Sequence, residues 1–250
     1  MPRVKQSNDG FDIYAVNTDG NRRLVDVSDP LHRLILERLS DGPMSTTEIS
    51  DMSKKAQSTL SVHLEQMVNQ NLIASEYDSN DSRRKLFRLT SVRVASSKQV
   101  SEEGSDEAKS FLSTSVRGDD FHRYLLKAVL MSAESNGMDI CPMMNILGSQ
   151  LAMKMVPKVG SDKVENIIRF LQEFYERNGL GEVCIYTFLP LTIIIRDIEE
   201  TQCRFEAFAA FSHGLFSTLL SQIIGRKYRI SKSEIFGTGN NYYKFVIDLA

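Results

Sequence analysis

Three cysteines are all that the 250 residues contain, and Cys141, Cys184 and Cys203 stand far apart. Without a CxxC pair there is neither a disulfide framework nor a zinc ribbon. The four histidines, His32, His63, His122 and His213, form no HExxH pattern, and neither a GxxxxGK nor a GxGxxG phosphate loop occurs. Nothing here advertises an enzyme, a cofactor or a metal site. No apolar stretch reaches the roughly 18 residues of a spanning helix, because charged residues interrupt every candidate. The start, MPRVKQSNDG, lacks the apolar core of a secretion signal, so a cytoplasmic protein without a membrane partner is expected. Charge of one sign is also missing. Thirty basic against 32 acidic side chains give a net charge of -2, which excludes a uniformly basic nucleic-acid coat and leaves room for a local patch.

What is present is ordinary globular usage, with 42% hydrophobic and 25% charged residues, enough for one large domain or two smaller ones. Residues 11–27 place two β-rich runs around Asp19-Gly20, the chemistry of a hairpin turn. Asp29-Pro30, with Asp29 or Ser28 as cap, opens a helix whose apolar face is Leu31, Leu34, Ile35 and Leu39. Ser45 and Glu48 fit a capping box for a short helix over about 46–52. After Ser53-Lys54-Lys55 a longer helix over about 56–70 buries Leu60, Leu64, Met67 and Val68 and presents Gln57, Ser58, Ser61 and Glu65 on the other face. Two strands, 72–77 and 85–89, flank the polar tip DSNDSRRK.

That order is a winged helix-turn-helix. The run TTEISDMSKKAQSTLSVHLEQMVNQNLI resembles the ArsR-type repressors, whose recognition helix carries a pattern similar to Ser58-Thr59-Leu60-Ser61-Val62-His63-Leu64. The likeness covers about residues 22–92 and implies double-stranded DNA as partner. The Cys-Val-Cys metal motif of that family is absent, which argues against a metal sensor of that type.

Residues 93–118 turn Ser- and Glu-rich and read as a linker, with a short helix near 108–113. Beyond it, helices are expected through Phe121, Leu125, Val129 and Ala133, through Met143–Met155, and from Ser161 through Tyr175, the last burying Val164, Ile167, Ile168, Leu171 and Phe174. Strands follow at 183–189 and 191–198, then an apolar helix at 206–224 stopped by Gly225, then a hairpin of 228–236 and 242–249.

This half resembles the 4-vinyl-reductase-type small-molecule-binding domain, on Gly214-Leu215-Phe216, Gly225, Glu234, Gly239 and Lys244-Phe245-Val246-Ile247. Many members carry cysteines where this chain has Ala209, Phe236 and Tyr243, so the family's metal or thiol site is missing. The fusion is similar to regulators of methanogenic archaea. The expected fold class is therefore α+β: a winged helix-turn-helix domain over 1–92, a linker over 93–118, and a mixed α/β sensor domain over 119–250.

The residues nominated for DNA are Lys54, Lys55, Gln57, Ser58, Thr59, Ser61, His63, Arg83, Arg84 and Lys85. Short polar side chains on a helix suit base edges, and cations at the helix entrance and wing suit phosphates. His63 fits equally a packing role at the helix–wing junction. Arg22, Arg23 and Arg88 are further cations near these surfaces. Met144, Phe208, Phe211, His213 and Tyr243 are nominated as a ligand pocket, within a Met- and Phe-rich set that also includes Met143, Met153, Met155, Phe205 and Phe216. The same residues would serve as ordinary core. Cys141-Pro142 resembles a haem-thiolate dipeptide but sits among core residues, and Cys184 reads as a buried small hydrophobe. The expectation is a homodimeric repressor on an inverted-repeat operator, controlled by a small apolar ligand. The alternative is a carrier or accessory protein of tetrapyrrole or aromatic metabolism.

Overall fold

The computed structural model describes residues 10–18, 20–78, 81, 83–98, 121–160, 163–196, 206–225, 228–236 and 242–249. Asp19, the short helix expected near 108–113, Cys203, Phe205 and Gly239 lie outside them. The chain divides into two compact units, Met1–Gln99 and Val100–Ala250.

In the first unit, β1 (Asp12–Thr18) and β2 (Asn21–Val27) pair antiparallel through Thr18 and Asn21, with Gly20 at φ 82 in the turn between them. That backbone conformation favours glycine. Alternate β1 residues Asp12, Tyr14 and Val16 turn inward. Helix α1 (Pro30–Leu39) follows, and it is Asp29 that caps it: Oδ1 accepts from the N–H of Leu31 at 2.7 Å and of His32 at 3.4 Å. The buried face of α1 is His32, Ile35, Leu36 and Leu39, turned from the expected stripe so that Leu31 and Leu34 are only partly covered.

A two-residue strand β3 (Met44–Ser45) leads into α2 (Thr46–Ser53), whose capping box is formed as expected. Lys54 ends α2 in the left-handed conformation at φ 53, and α3 (Gln57–Asn69) begins after Ala56. Leu60, Leu64 and Met67 bury the inner face of α3. Strands β4 (Ile73–Tyr77) and β5 (Lys85–Leu89) form the wing, with β3 on the far side of β5. The core joins Tyr14, Val16 and Val27 of the hairpin to Ile35, Ile49, Leu60, Leu64, Met67, Leu72 and Phe87. Residues 93–97, expected to start a linker, instead belong to β6 (Val92–Ser97), paired antiparallel with β1. Ala95 is the one buried residue of this strand, and pairing with β1 holds it in the sheet.

The second unit is α4 (Phe121–Ser135), β7 (Met138–Asp139), α5 (Cys141–Val159), α6 (Val164–Arg177), β8 (Glu182–Phe188), β9 (Leu191–Arg196), α7 (Glu206–Ile224), β10 (Tyr228–Phe236) and β11 (Tyr242–Leu249). Its antiparallel sheet runs β10-β11-β9-β8. The core gathers Ile167, Ile168, Leu171 and Tyr175 of α6, Ile193 and Ile195 of β9, Phe245 and Ile247 of β11, and Leu215, Phe216, Leu219 and Leu220 of α7. Tyr175 takes the buried place expected of Phe174, and its hydroxyl donates to Ser212 Oγ at 2.9 Å, which donates to the Phe208 carbonyl at 3.1 Å. This chain satisfies two buried hydroxyls inside an apolar core.

Helices α5 and α7 approach closely where each has glycine. A Cβ on Gly148 would collide with the Phe211 carbonyl, and one on Gly214 with the Asn145 carbonyl. Contrary to the expectation that no stretch is long enough, the 19 residues of α7 are long and apolar enough to cross a bilayer, but about half of that stretch is buried within the unit. On α4 the residues covered are Ala128, Leu130 and Met131, whereas Leu125 and Val129 of the expected stripe face outward.

Candidate nucleic-acid interface

Gln57, Ser58, Thr59 and Ser61 all lie on the exposed face of α3. Ser61 Oγ donates to the Gln57 carbonyl at 2.9 Å, so its proton is used within the helix and its lone pairs face outward. Ala56 supplies no side-chain cap, which leaves the first-turn N–H groups of α3 to solvent or to an anion. Lys54 and Lys55 sit in the exposed turn before α3, which Ser50 Oγ braces by donating to the Lys55 carbonyl at 2.8 Å.

The wing cations differ from one another. Arg83 is exposed, its N–H donating to Asp81 Oδ1 at 3.0 Å. Arg84 is engaged: Nη2 donates to Glu48 Oε1 at 2.8 Å, and Nη1 lies 3.8 Å from Asp78 Oδ2. Glu48 Oε2 accepts from the backbone N–H and hydroxyl of Ser45 at 2.7 and 2.8 Å. These Ser45 bonds first, and the Arg84 bond after them, hold the Glu48 carboxyl down to about 2. Lys85 Nζ stands 5.5 Å from the centre of the Phe87 ring, and Arg88 pairs with Glu76 at 3.4 Å.

His63 is turned to α1. Its Nδ1 is 2.9 Å from His32 Nε2 and 3.9 Å from Asp29 Oδ2, with the two rings edge to face. The histidines that show no pattern along the sequence thus meet in space, and Asp29 and His32 are site residues that sequence reasoning missed. The local signal is slight: Asp29 and His32 share a helix face at i, i+3, but their partner comes 31 positions later. The reachable ligand atoms of the three residues lie within 4.8 Å of one another, an arrangement able to hold a metal ion. Burial holds the His32 pKa below the usual histidine value, with Asp29 opposing and His63 assisting. For Asp29 burial acts upward, yet the N–H bonds of Leu31 and His32 and the neighbouring imidazoles bring its pKa below the ordinary value.

In the second unit, Met144, Phe211 and Tyr243 are buried in the core and Phe208 is half-buried against it. The Phe208 ring stacks on Phe211 at 5.9 Å and leans on Tyr243 at 6.0 Å. His213 Nδ1 is 2.9 Å from Asn145 Nδ2 across α5 and α7, and burial lowers its pKa. The wider Met- and Phe-rich set divides: Met155 and Phe216 are buried, but Met143 and Met153 are about half exposed. Cys141 is partly covered, and burial above all raises its thiol pKa. Cys184 is half-buried rather than buried, because its neighbour Val183 takes the inward position on β8.

Among curated proteins none matches the chain. A crystal structure of a vinyl-4-reductase family protein from Methanocaldococcus jannaschii is similar over 59% of this chain and 91% of that one, at 11% identity and a TM-score of 0.35. Residues 29–75 match the family model described as bacterial regulatory protein, arsR family. That match spans α1, α2, α3 and most of β4, so this segment is an ArsR-type helix-turn-helix, the part with which a transcription regulator binds double-stranded DNA.

Proposed function

We propose that the protein is a homodimeric, sequence-specific repressor whose grip on an inverted-repeat operator is controlled through its second unit. The observation that carries the reading is the exposed polar face of α3, Gln57, Ser58, Thr59 and Ser61, on a helix-turn-helix whose entrance and wing bear Lys54, Lys55, Arg83 and Lys85. In this reading α3 enters the major groove, where Gln pairs with adenine and Ser with either partner, while the cations neutralise phosphates. A cytoplasmic location follows from duplex DNA as the partner.

Dimerisation is supported by α4, on which Leu125, Leu126 and Val129 are 48%, 47% and 56% exposed. Apolar side chains clustered on one helix are the material of an interface between copies. Two heads, the first units of the two copies, on successive major-groove faces would stand about 34–36 Å apart. Control by a small apolar molecule rests on the sequence resemblance of residues 214–247 to small-molecule-binding domains. Such a ligand would act only through different affinities for two dimer arrangements.

The test is selection of genomic fragments by the purified chain, with and without small molecules from cell extract, alongside its mass in solution. The reading expects an enriched palindrome, a dimer, and an affinity that changes with the extract. A monomer with equal affinity for random duplex would overturn it.

A further inference from the structure

We propose that Asp29, His32 and His63 form a binding site for a divalent transition-metal ion of the zinc class, joining the start of α1 to the recognition helix α3. The geometry is largely in place. His32 Nε2 and His63 Nδ1 face each other at 2.9 Å, and tetrahedral ligation with metal–nitrogen bonds of about 2.0–2.1 Å needs about 3.3 Å between them. A widening of a few tenths of an ångström admits the ion in place of the single proton that the two nitrogens share.

The carboxylate is already oriented. Asp29 Oδ1 is occupied by the Leu31 and His32 N–H groups, which leaves Oδ2, the oxygen 3.9 Å from His63 Nδ1, to ligate. Such outer bonds are what aim a ligand at a metal. Two imidazoles with one carboxylate select zinc, cobalt or nickel over calcium or magnesium, which take oxygen donors. His32 is buried and the Asp29 side chain is 42% exposed, so the fourth position opens on the solvent side and would hold water. The three proposed ligands include no cysteine, which distinguishes the site from the Cys-Val-Cys arrangement that the chain lacks.

Binding would tie the first turn of α1 to the middle of α3. The site stands on its own geometry and does not depend on the operator reading.

The test is titration of the full-length chain with cobalt(II) alone, followed visibly by its ligand-field bands, then displacement by zinc. One equivalent per chain is expected, with four-coordinate bands and no sulfur-to-cobalt charge-transfer band. H63Q removes a ligand and is expected to weaken binding by at least about 100-fold, the upper end for loss of an outer-sphere partner. D29N keeps the helix cap on its amide oxygen but puts an NH2 group, which has no lone pair to give, where Oδ2 ligates, and is likewise expected to weaken binding by at least about 100-fold. Circular dichroism of both variants checks that the head remains folded, and D29N serves where H63Q does not fold. Absence of cobalt bands in the unmodified chain, a thiolate band, or unchanged affinity in the folded variants would each overturn the site.

Discussion

Arg84 Nη2 lies 2.8 Å from Glu48 Oε1, tying the residue that enters β5 to the first turn of α2. The Glu48 carboxylate serves three donors at once, capping α2 through Ser45 and clasping the wing through Arg84. The two arginines at the wing tip are therefore not equivalent, although they look so in the sequence.

Replacing Arg83 by Ala should weaken binding to every duplex alike and reduce the salt slope by about 1, the signature of one lost phosphate contact. Arg84→Ala should change the salt slope less, because Glu48 and Asp78 already compensate the charge, and should lower the thermal midpoint of the head. Fluorescence anisotropy at several salt concentrations, with a melting curve for each variant, separates the two.

On α3 the expectation concerns discrimination. Gln57→Ala should reduce the ratio of operator to random-duplex affinity by about 1–3 kcal/mol, the worth of one good bidentate base contact. Ser61→Ala should do less, since the Ser61 proton is held by the Gln57 carbonyl. Equal losses on both duplexes for Gln57→Ala would assign that side chain to the backbone.

Acid should loosen the clasp. Glu48 goes from an ordinary 4.5 to about 2 in the folded chain, so its contribution to stability is complete above about 4.5 and is lost as the pH falls toward 2. The melting temperature of the head should drop across that window, and Glu48→Gln should flatten the drop while lowering the plateau at neutral pH.

Gly148→Ala and Gly214→Ala should each destabilise the second unit by about 1–3 kcal/mol through overpacking, since the added methyl meets backbone rather than a yielding side chain. Denaturant unfolding followed by near-ultraviolet dichroism measures this. Ala152→Gly, on the same helix, provides the contrasting loss of packing rather than excess.

Where structure follows from neighbours in the chain, the sequence was legible. The capping box at Ser45 and Glu48 spans three residues, the end of α7 is marked by Gly225, and the two strands of the terminal hairpin pair where expected. Exposed placement of Gln57, Ser58, Thr59 and Ser61 followed from the same helical period that buries Leu60, Leu64 and Met67. What depended on distant partners was not legible. Val92–Ser97 becomes a strand because β1 offers it a ladder, and α1 buries His32 in place of Leu31 because residues of other elements decide which side is inward. The meeting of His32 with His63 is of the same kind: a polar residue on a mostly apolar face signals nothing until its partner is in view.

The paired glycines of α5 and α7 also have a mechanical meaning. Each helix fills with its own carbonyl the room that a methyl would need on the other, so rotation of one about its long axis drives it into its mate. Helix α7 therefore cannot twist alone; whatever displaced it would have to carry both rods together, as a single stiff lever.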